Sequence, residues 1–431
     1  MTRRLRTKMG ARRRIALVVA AVLASTALAA CGGDSGKPVL TWYINPDPNP
    51  PPDFTGAFGQ AGIAERCSTD DYTIETQILP QSATEQRIQL LRRLAAEDEA
   101  IDLMSLDPVF TAEFADAGYL AELPQELSDG MLRGAVDGAS WDDQLVVAPL
   151  WANTQILWYR KSMAEAAGLD MSKPVTWDQI TDAASDQGGK VGVQANKYEG
   201  YVVWVNALVT GAGGAILDDT EEGADAKVAI DSDAGRDAAK VISKLAKSPA
   251  AEADLSVSNE GTVIGPFAKP GGFMVNWTFI YNTVKPDEAT FKDLGFARYP
   301  ETVAGEESKP PIGGINIGVS KFTDDREAAL KAVECITSED NQVKYAVETG
   351  NMPAREAAYE DAELRKQFPP ELLTLWLQSI DTAGPRPPSP YWGTIVGAVL
   401  NKWHPADAVG DSTPEQSASF IEDVLRGDAL L

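Results

Sequence analysis

Hydrophobic and polar positions change period along the chain, and the changes predict strands and helices in turn. Short apolar runs bounded by turn-forming residues predict strands, at residues 38–44, 101–106, 155–161, 190–196, 271–277 and 313–320. Apolar residues that recur every three or four positions predict helices, at residues 82–94, 109–118, 162–168, 177 onward, 200–209, 234–248, 326–337 and 414–426.

Capping residues support several of these helices. Ser82 and Glu85 have the spacing of a capping box, Thr176 is a suitable N-cap, and Gly118 is placed to end a helix. The alternation of strands and helices predicts a mostly parallel sheet. Two α/β units with several chain crossings fit this order better than one long sheet, so a ligand is expected between the units or at the carboxyl ends of the strands.

The first thirty residues have the pattern of a bacterial signal peptide. Seven basic residues and no acid precede residue 31, and the apolar run 15–30 is short for a membrane span. Leu28-Ala29-Ala30-Cys31 resembles a lipobox, so we expect cleavage before Cys31, lipid on that cysteine and a flexible tether over residues 31–37. The alternative is an ordinary signal peptide with a chance cysteine. Export by the general or the twin-arginine route stays open.

The charge of the chain excludes some partners. The formal net charge is −25, although the signal segment itself is basic. An acidic body is repelled by nucleic acid and by anionic membrane surfaces. The acidic residues are therefore interpreted as a solvated surface, and no nucleic-acid partner is expected.

Residues for catalysis or metal binding are scarce. The chain has one histidine, His404, and besides Cys31 only Cys67 and Cys335, too few for an ordinary zinc site. These two cysteines form either one disulfide or two buried thiols. No phosphate-binding GxxxxGK[ST] motif occurs, and the GDSG at residues 33–36 falls in the tether, so neither a cofactor nor a catalytic residue is predicted. A carboxylate pair among the 63 acids leaves a glycoside hydrolase open.

Polar and aromatic residues stand at the ends of predicted strands. They are Asp107, Asn153, the pair Asn276-Trp277, and Gly314 at the start of its strand. Carboxylate and amide groups suit the hydroxyls of a sugar, and an indole suits its apolar face. In the stretch PLWANTQILWYRK, residues 149–161, Asn153 and Trp151 are candidates for the cleft, whereas residues 158–160 are predicted to be core and hinge strand.

Several segments together resemble the extracellular solute-binding proteins of ABC sugar importers, the maltose-binding-like group. The segments are DLMSLDPVFTAEFADAGYLAEL, ILWYRK, PVTWDQI, GGINIGVSK and ETGNMPAREAAY, and their joint order covers nearly all of the mature chain. More narrowly, ATEQRIQLLRRL, NTQILWYR and VQANKYEGYVVWVNALV resemble the trehalose-binding lipoproteins of that group. The resemblance implies a two-lobed, type II periplasmic-binding-protein-like α/β fold with a ligand cleft and a hinge between the lobes.

The same resemblance implies roles for individual residues. Asp107 is expected to accept hydrogen bonds from one glucose, Asn153 to bridge the lobes, and Trp277 to stack on a pyranose face. Glu260 and Arg386 are expected to hold the second sugar. The structural alternatives are a helix N-cap for Asp107, a turn residue for Asn153, core for Trp277, a solvated loop acid for Glu260 and a surface position for Arg386.

Two further positions are expected at the ligand, and one is ambiguous. The backbone at Gly314 is expected to approach the sugar closely. Asn45 is a weaker candidate, because a proline-rich insertion follows it. Tyr201 replaces an aliphatic residue of the family and is either core or an added contact.

The resemblance also implies lobe boundaries and a cysteine pairing. One lobe is expected to comprise residues 38–152 and 315–368, and the other residues 153–314 and 369–431. Cys67 and Cys335 would then lie in one lobe and join its discontinuous halves by a disulfide.

The predicted function is transport rather than catalysis. We expect a monomeric, lipid-anchored receptor on the extracytoplasmic face of the cell membrane that captures trehalose and presents it to an ABC permease. The alternatives are maltose or another α-glucoside as ligand, some other solute such as a sugar phosphate, and a lipid-anchored glycoside hydrolase. The acidic body disfavours anionic ligands.

Overall fold

The computed structural model describes residues 36–48, 50 and 54–431. The predicted signal peptide, its cleavage site and Cys31, which is predicted to carry lipid, lie outside the described residues, as does most of the tether. From Pro38 to Leu431 the described chain forms one compact unit.

Strands within the described residues follow the predicted positions, and others that were not predicted are added, among them the six-residue β2 and the eight-residue β6. They are β1 (Val39–Ile44), β2 (Thr73–Ile78), β3 (Leu103–Leu106), β4 (Ser140–Trp141), β5 (Gln144–Leu145), β6 (Val147–Thr154), β7 (Ile156–Arg160), β8 (Lys190–Gly192), β9 (Leu217–Asp218), β10 (Lys227–Val228), β11 (Gly272–Asn276), β12 (Leu294–Ala297) and β13 (Ile312–Val319).

The α-helices of the described chain surround these strands. They are α1 (Gly59–Cys67), α2 (Ala83–Leu94), α3 (Thr111–Asp116), α4 (Arg133–Asp137), α5 (Lys161–Ala166), α6 (Trp177–Gln187), α7 (Glu199–Gly211), α8 (Asp233–Lys247), α9 (Ile264–Ala268), α10 (Ile280–Val284), α11 (Glu288–Lys292), α12 (Arg326–Ile336), α13 (Glu339–Thr349), α14 (Ala362–Gln367), α15 (Pro370–Asp381), α16 (Trp392–Trp403) and α17 (Thr413–Leu425).

Short 3-10 helices connect several of the longer elements. They span Pro108–Phe110, Gln125–Ser128, Thr220–Asp225, Leu255–Val257, Ala357–Glu360 and Ala406–Ala408. The helix predicted over 109–118 is accordingly two pieces, the first of these 3-10 turns followed by α3. Gly118 follows with a φ of +71°, a conformation that glycine adopts without steric cost.

The larger sheet has five strands in the order β2-β1-β3-β13-β6. Strands β1, β2 and β3 run parallel, whereas β13 pairs antiparallel with both β3 and β6. Because of these directions, the carboxyl ends of β1, β3 and β6 and the amino end of β13 meet at one edge of the sheet. This edge carries the residues of the candidate site.

The second sheet has four strands in the order β12-β7-β11-β8. Strand β7 pairs antiparallel with β11 and β12, and only β8 runs parallel to β11. The prediction of a mostly parallel sheet is therefore wrong, and both sheets are mixed.

The two sheets are the centres of two α/β lobes, as the predicted fold class requires. Strand β6 of the larger sheet leads into β7 of the second through the single buried residue Gln155, and β12 leads back to β13. The predicted lobe boundaries at 152/153 and 314/315 fall inside β6 and β13, the strands that adjoin the crossings, and stay a prediction. Leu364 and Phe368, however, pack with Trp158 and Met274 of the second sheet, so the boundary near residue 368 stays a prediction.

Of two N-terminal caps predicted from the sequence, the structure bears out one. Thr176 forms a full capping box with Gln179 at the start of α6, which confirms the predicted N-cap. Ser82 is the N-cap of α2 but its side chain makes no capping hydrogen bond, so the predicted capping box with Glu85 is wrong. The first backbone hydrogen bond of α2 runs from the Gln86 amide to the Ser82 carbonyl, at 2.9 Å.

The aromatic residues of the stretch 149–161 largely pack within the protein. Trp158 is fully buried in the core of the second sheet. Trp151 is also buried and stacks on Tyr345, with 4.8 Å between ring centroids, so it supports the cleft from behind rather than lining it. Tyr201 is fully buried and donates a hydrogen bond to the Trp403 carbonyl at 2.8 Å, which makes it a core residue.

A disulfide joins Cys67 at the end of α1 to Cys335 in α12, with an S–S distance of 2.03 Å. The disulfide expected from the resemblance is therefore present. Asn341 lies over it and donates one amide hydrogen bond to the Cys335 carbonyl at 2.8 Å. The bridge links helices that are 268 residues apart in the sequence and pack on the same sheet.

Across the part of the chain that the structure describes, every helix is too short or too polar to traverse a lipid bilayer.

Candidate functional site

A buried guanidinium lies between two carboxylates at the edge of the larger sheet. Arg386, in the segment between α15 and α16, donates to Asp107 Oδ1 at 2.8 Å and to Glu199 Oε1 at 2.6 Å. A third bond reaches the Ile312 carbonyl at 3.1 Å. Arg386 and Asp107 belong to different predicted lobes, so this ion pair crosses the cleft.

Local structure places both carboxylates. Asp107 follows the buried strand β3 and caps the 3-10 helix after it, accepting from the Val109 amide at 3.2 Å. The N-cap alternative for Asp107 is thus correct, and the same oxygen also pairs with Arg386. Glu199 is the first residue of α7, where the helix dipole favours a negative charge.

Burial and neighbouring charges shift the pKa values of Glu199 and Arg386. Burial raises the pKa of Glu199 to about 7, opposed by the Arg386 charge and reinforced by Asp107 and Glu260. Burial by itself would lower the pKa of Arg386, but the two carboxylates outweigh it and the pKa is raised. Arg386 Nε is buried and has no hydrogen-bond partner within the described residues. A surface position for Arg386 is excluded.

A third carboxylate, Glu260, lies among aromatic residues. Tyr198 Oη donates to Glu260 Oε2 at 2.7 Å, and Asn276 Nδ2 donates to the Glu260 carbonyl at 2.9 Å. Burial raises the pKa of Glu260, hydrogen bonds from Tyr198 and Trp277 oppose the shift, and the charge of Asp107 reinforces it. Glu260 is therefore not a solvated loop acid.

The indole of Trp277 lies against the backbone of β13. A Cβ added to Gly313 would stand 2.6 Å from Trp277 Cζ3 and 3.1 Å from Asn153 Oδ1. Trp277 is only partly buried, unlike the adjoining β11 residues. The absence of a side chain at Gly313 thus allows an aromatic face and an amide to lie together at the cleft.

Gly314 contacts a different part of the protein from Gly313. Its φ is +134°, and an added Cβ would stand 2.2 Å from the Trp151 carbonyl oxygen. Glycine is required at Gly314 for strand pairing with β6. Close approach of the Gly314 backbone to a ligand stays a prediction, and Gly313 is the glycine that contacts the site residues.

Asn153 and Asn45 are connected by a chain of polar groups. Asn153 donates to Asn351 at 3.3 Å, Asn351 lies 3.4 Å from Tyr345 Oη, and Tyr345 donates to Asp47 at 2.6 Å. Asp47 lies two residues beyond Asn45, whose amide donates to a glutamine at 2.8 Å and whose Oδ1 is buried without a partner in the described chain.

Sequence reasoning missed Glu199, Tyr198 and Asn351. All three are ordinary residues of predicted loops or helix ends, and the chain has 63 acids. Tyr198 and Glu199 follow the predicted strand 190–196, at the type of strand end where the other candidates were found. Burial singles out Glu199, and sequence does not report burial of a charged residue.

Contacts between the lobes continue beyond Arg386. The Glu199 amide donates to Thr84 Oγ1 at 3.2 Å, and Arg87, which is ion-paired with Glu113, lies against Gly393 at the start of α16. The lobes therefore touch across the cleft on the α2 side.

A cavity of about 660 Å³ adjoins Arg386. Pro108, Gly134 and Ile312 line one part of it, and Ile380 and Pro385 line another. Asn153, Glu260 and Trp277 do not line it. The cavity is thus separate from the group of predicted ligand residues, apart from Arg386 itself.

The fold, with a cleft edged by an ion pair, amides and an indole, is that of a two-lobed binding protein. The chain belongs to the family of bacterial extracellular solute-binding proteins, which it matches over residues 63–370. Its relatives bind solutes and are not enzymes. The glycoside hydrolase alternative is accordingly wrong.

Individual relatives agree with the family. The maltodextrin-binding protein MdxE of Bacillus subtilis is 25% identical over 329 residues, 75% of this chain and 72% of that protein. A probable ABC transporter-binding protein of Deinococcus radiodurans is 21% identical over 318 residues, 69% of this chain and 72% of that protein.

Solved structures show the same fold. Maltose-bound MalE3 of T. maritima superimposes with a TM-score of 0.77 at 25% identity, covering 91% of this chain and all of that one (100%). A solute-binding protein of Agrobacterium vitis with bound D-mannitol superimposes with a TM-score of 0.70 at 20% identity, covering 90% of this chain and 98% of that one.

Proposed function

We propose that this protein is the sugar receptor of an ABC importer and that it captures trehalose in the cleft between its lobes for delivery to the permease. The choice of trehalose is supported by the resemblance of several segments to LpqY, the mycobacterial trehalose-binding lipoprotein. The proposed receptor acts as a monomer and breaks no bond in the sugar.

The observation that carries the proposal is the indole of Trp277 beside Asn153 and Glu260. A pyranose has one apolar C–H face and a rim of hydroxyls. The indole buries the face, and the amide and carboxylate oxygens accept from the hydroxyls. Their proximity at Gly313 suits one hexose ring.

The ion pair of Arg386 and Asp107 accounts for the second hexose of a disaccharide. Both groups keep further hydrogen-bonding capacity, since a guanidinium has five donors and a carboxylate about four acceptor sites. Sugar hydroxyls that bond to both would hold the two lobes together. Asn45 and the Gly314 backbone are proposed as outer contacts.

Maltose or another α-glucoside is the second candidate ligand. It is favoured by the maltodextrin-binding and maltose-bound relatives, which share the fold and about a quarter of the sequence. Both disaccharides present the same apolar face and hydroxyl types, so the class of the site does not separate them. They differ in the linkage: trehalose joins the two anomeric carbons and has no reducing end, whereas maltose joins C1 to C4 and keeps one anomeric hydroxyl free.

Calorimetric titration of the purified, unlipidated protein with trehalose, maltose and mannitol tests the ligand. Saturable heat with trehalose and little with maltose supports the proposal. Preference for maltose replaces trehalose by the second candidate, and binding of neither disaccharide rejects the proposed ligand class. Assay of free glucose in the same samples shows whether sugar is consumed.

Replacement of Trp277 tests the carrying observation. Trp277→Ala should weaken binding of the disaccharide by roughly 1–3 kcal/mol, because the apolar face of one sugar ring loses its partner. Trp277→Phe, which keeps an aromatic face, should lose less. Equal affinity of the alanine variant and the parent protein would remove Trp277 from the site.

We also propose that Cys31 carries lipid and anchors the receptor at the extracytoplasmic face of the membrane. Two lipid chains hold a protein stably at a membrane, whereas an unmodified cysteine side chain does not. Cys31→Ser should release the protein into the soluble fraction of cells that express it. A membrane-bound Cys31→Ser variant would refute the anchor.

The proposed lobes, residues 38–152 with 315–368 and residues 153–314 with 369–431, are expected to change their separation when sugar binds. Small-angle scattering with and without the disaccharide measures this as a change in radius of gyration. An unchanged radius at saturating sugar would contradict hinge motion as part of the function.

A further inference from the structure

The charges at the cleft do not balance. The charges of Asp107 and Glu260 raise the pKa of Glu199, the charge of Asp107 also raises the pKa of Glu260, and Arg386 is the cation that pairs with Asp107 and Glu199. Glu260 takes part in no ion pair within the described residues. The group thus carries an excess of negative charge when its carboxyls are ionised.

Glu260 lies where an aromatic surface and a carboxylate coincide. Tyr198 donates to its carboxylate at 2.7 Å, and the Trp277 side chain also donates a hydrogen bond to it. A carboxylate accepts strong hydrogen bonds from an ammonium group. A neutral hydroxyl gains less from this partner.

We infer that the cleft prefers sugars that carry a protonated amino group near Glu260 over the corresponding neutral sugars, and that it rejects anionic ones. This inference rests on the proposed function, because it assigns the ligand class of the same site. The ammonium would replace one hydroxyl of a disaccharide, pair with Glu260 and lie against Trp277.

The competing explanation is that Glu260 only accepts a hydroxyl hydrogen bond. In that case the replacement of a hydroxyl by an ammonium group brings no gain, since the cost of removing the ammonium from water is not compensated. The two explanations predict opposite orders of affinity for the same pair of ligands.

The test is calorimetric titration with trehalose, with the mono-amino trehaloses substituted at positions 2, 3, 4 and 6, and with trehalose 6-phosphate. We expect at least one amino sugar to bind roughly tenfold more tightly than trehalose and the phosphate to bind more weakly. If trehalose binds and every amino sugar binds more weakly, the inference is overturned and the proposed function stands. If trehalose fails but maltose binds, the comparison is repeated with amino maltoses.

A pair of variants assigns the preference to Glu260. Glu260→Gln keeps the size and hydrogen-bonding of the side chain, so it should abolish the advantage of the amino sugar over the neutral one. Glu415→Gln removes an exposed carboxylate on α17 and should preserve the ratio. A ratio unchanged in Glu260→Gln would show that Glu260 is not the counter-ion and would overturn the inference.

Discussion

Arg386 brings one positive charge into a place from which water is almost excluded. Its side chain is 2% exposed, and that of Glu199 is 3% exposed. Buried charges are tolerated when they are paired, and removal of one partner leaves the other without compensation. The same residue therefore bears on stability and on ligand binding.

Arg386→Ala should lower the free energy of unfolding by about 3–5 kcal/mol, because Glu199 then lies buried without a cation. Urea denaturation of the sugar-free protein measures the change. Arg426→Ala provides the control, since Arg426 pairs with carboxylates at the exposed end of α17 and should cost no more than about 1 kcal/mol. Equal losses in the two variants would contradict the buried-pair interpretation.

Glu199 should make stability depend on pH in a definite direction. Its pKa is raised to about 7 in the folded protein from an ordinary value near 4.5. The folded state therefore holds a proton that the unfolded state has released, and the resulting stability is present below pH about 4.5 and is lost as pH rises through about 7. The midpoint of urea unfolding should fall across this range.

Glu199→Gln isolates that contribution from other groups. Asp47 and Glu252 have pKa values raised by burial, to about 6 and about 7, and act in the same direction. The difference in free energy of unfolding between parent and variant reports Glu199 alone, so it should change less with pH than the free energy of unfolding of the parent protein does. Parallel curves for the two proteins between pH 5 and pH 8 would show that Glu199 is not the titrating group.

Only the candidate site residues at the ends of predicted strands could be predicted from local sequence patterns. Asp107, Asn153 and Trp277 each end or follow an apolar run, and parallel or paired strands bring such ends to one edge. Glu260 and Arg386 lie in irregular segments, so only the resemblance to a family indicated them. The partner of Arg386, Glu199, depends on packing between lobes, which no local pattern encodes.

At the scale of elements, β13 shows how two adjacent glycines serve different needs. Gly314 permits the pairing with β6, because its φ of +134° is one that other residues rarely adopt. Gly313 permits the indole of Trp277 to lie against the strand. The sequence GG predicted a buried strand with close approach, but not which neighbour approaches which glycine.

Gly313→Ala should displace Trp277, because the new Cβ would stand 2.6 Å from its ring. We expect at least a tenfold loss of sugar affinity and a cost of about 1–3 kcal/mol in stability, as for other overpacked sites. Calorimetric titration and urea denaturation measure the two effects.

Gly265→Ala is the matched control for the glycine substitution. Gly265 lies in α9 with open space around its Cβ position, so alanine should leave affinity unchanged. Loss of affinity in both variants would indicate a general effect of glycine replacement rather than contact with Trp277.

Most elements were predictable because their patterns are local. The helices α6 and α8 carry both an apolar stripe and a capping residue, and they begin within one residue of the predicted positions. The strand predicted at 190–196 ends at Gly192, since the following residues bond to the loop at Ser258 instead of to a strand. Strand direction depends on long-range pairing and was not predictable.

At the scale of the molecule, the disulfide fixes two helices whose connection passes through the second lobe. The double variant Cys67→Ser, Cys335→Ser should unfold with a free energy lower by about 2–5 kcal/mol, because the unfolded chain regains freedom. Reduction of the parent protein should reproduce the effect, and reductant should not alter the variant. Equal stability of parent and variant would mean that packing alone holds α1 to α12.

Strand β13 lies between β3 and β6 in the larger sheet, and this position affects the order in which the chain can fold. Its neighbours β3 and β6 end at Leu106 and Thr154, but β13 begins only at Ile312. While the ribosome makes the intervening residues, β3 and β6 each have an unpaired edge, and such edges attract other chains. The high contact order of this sheet implies slow folding. A nascent chain that stalls before Ile312 is thus prone to aggregate.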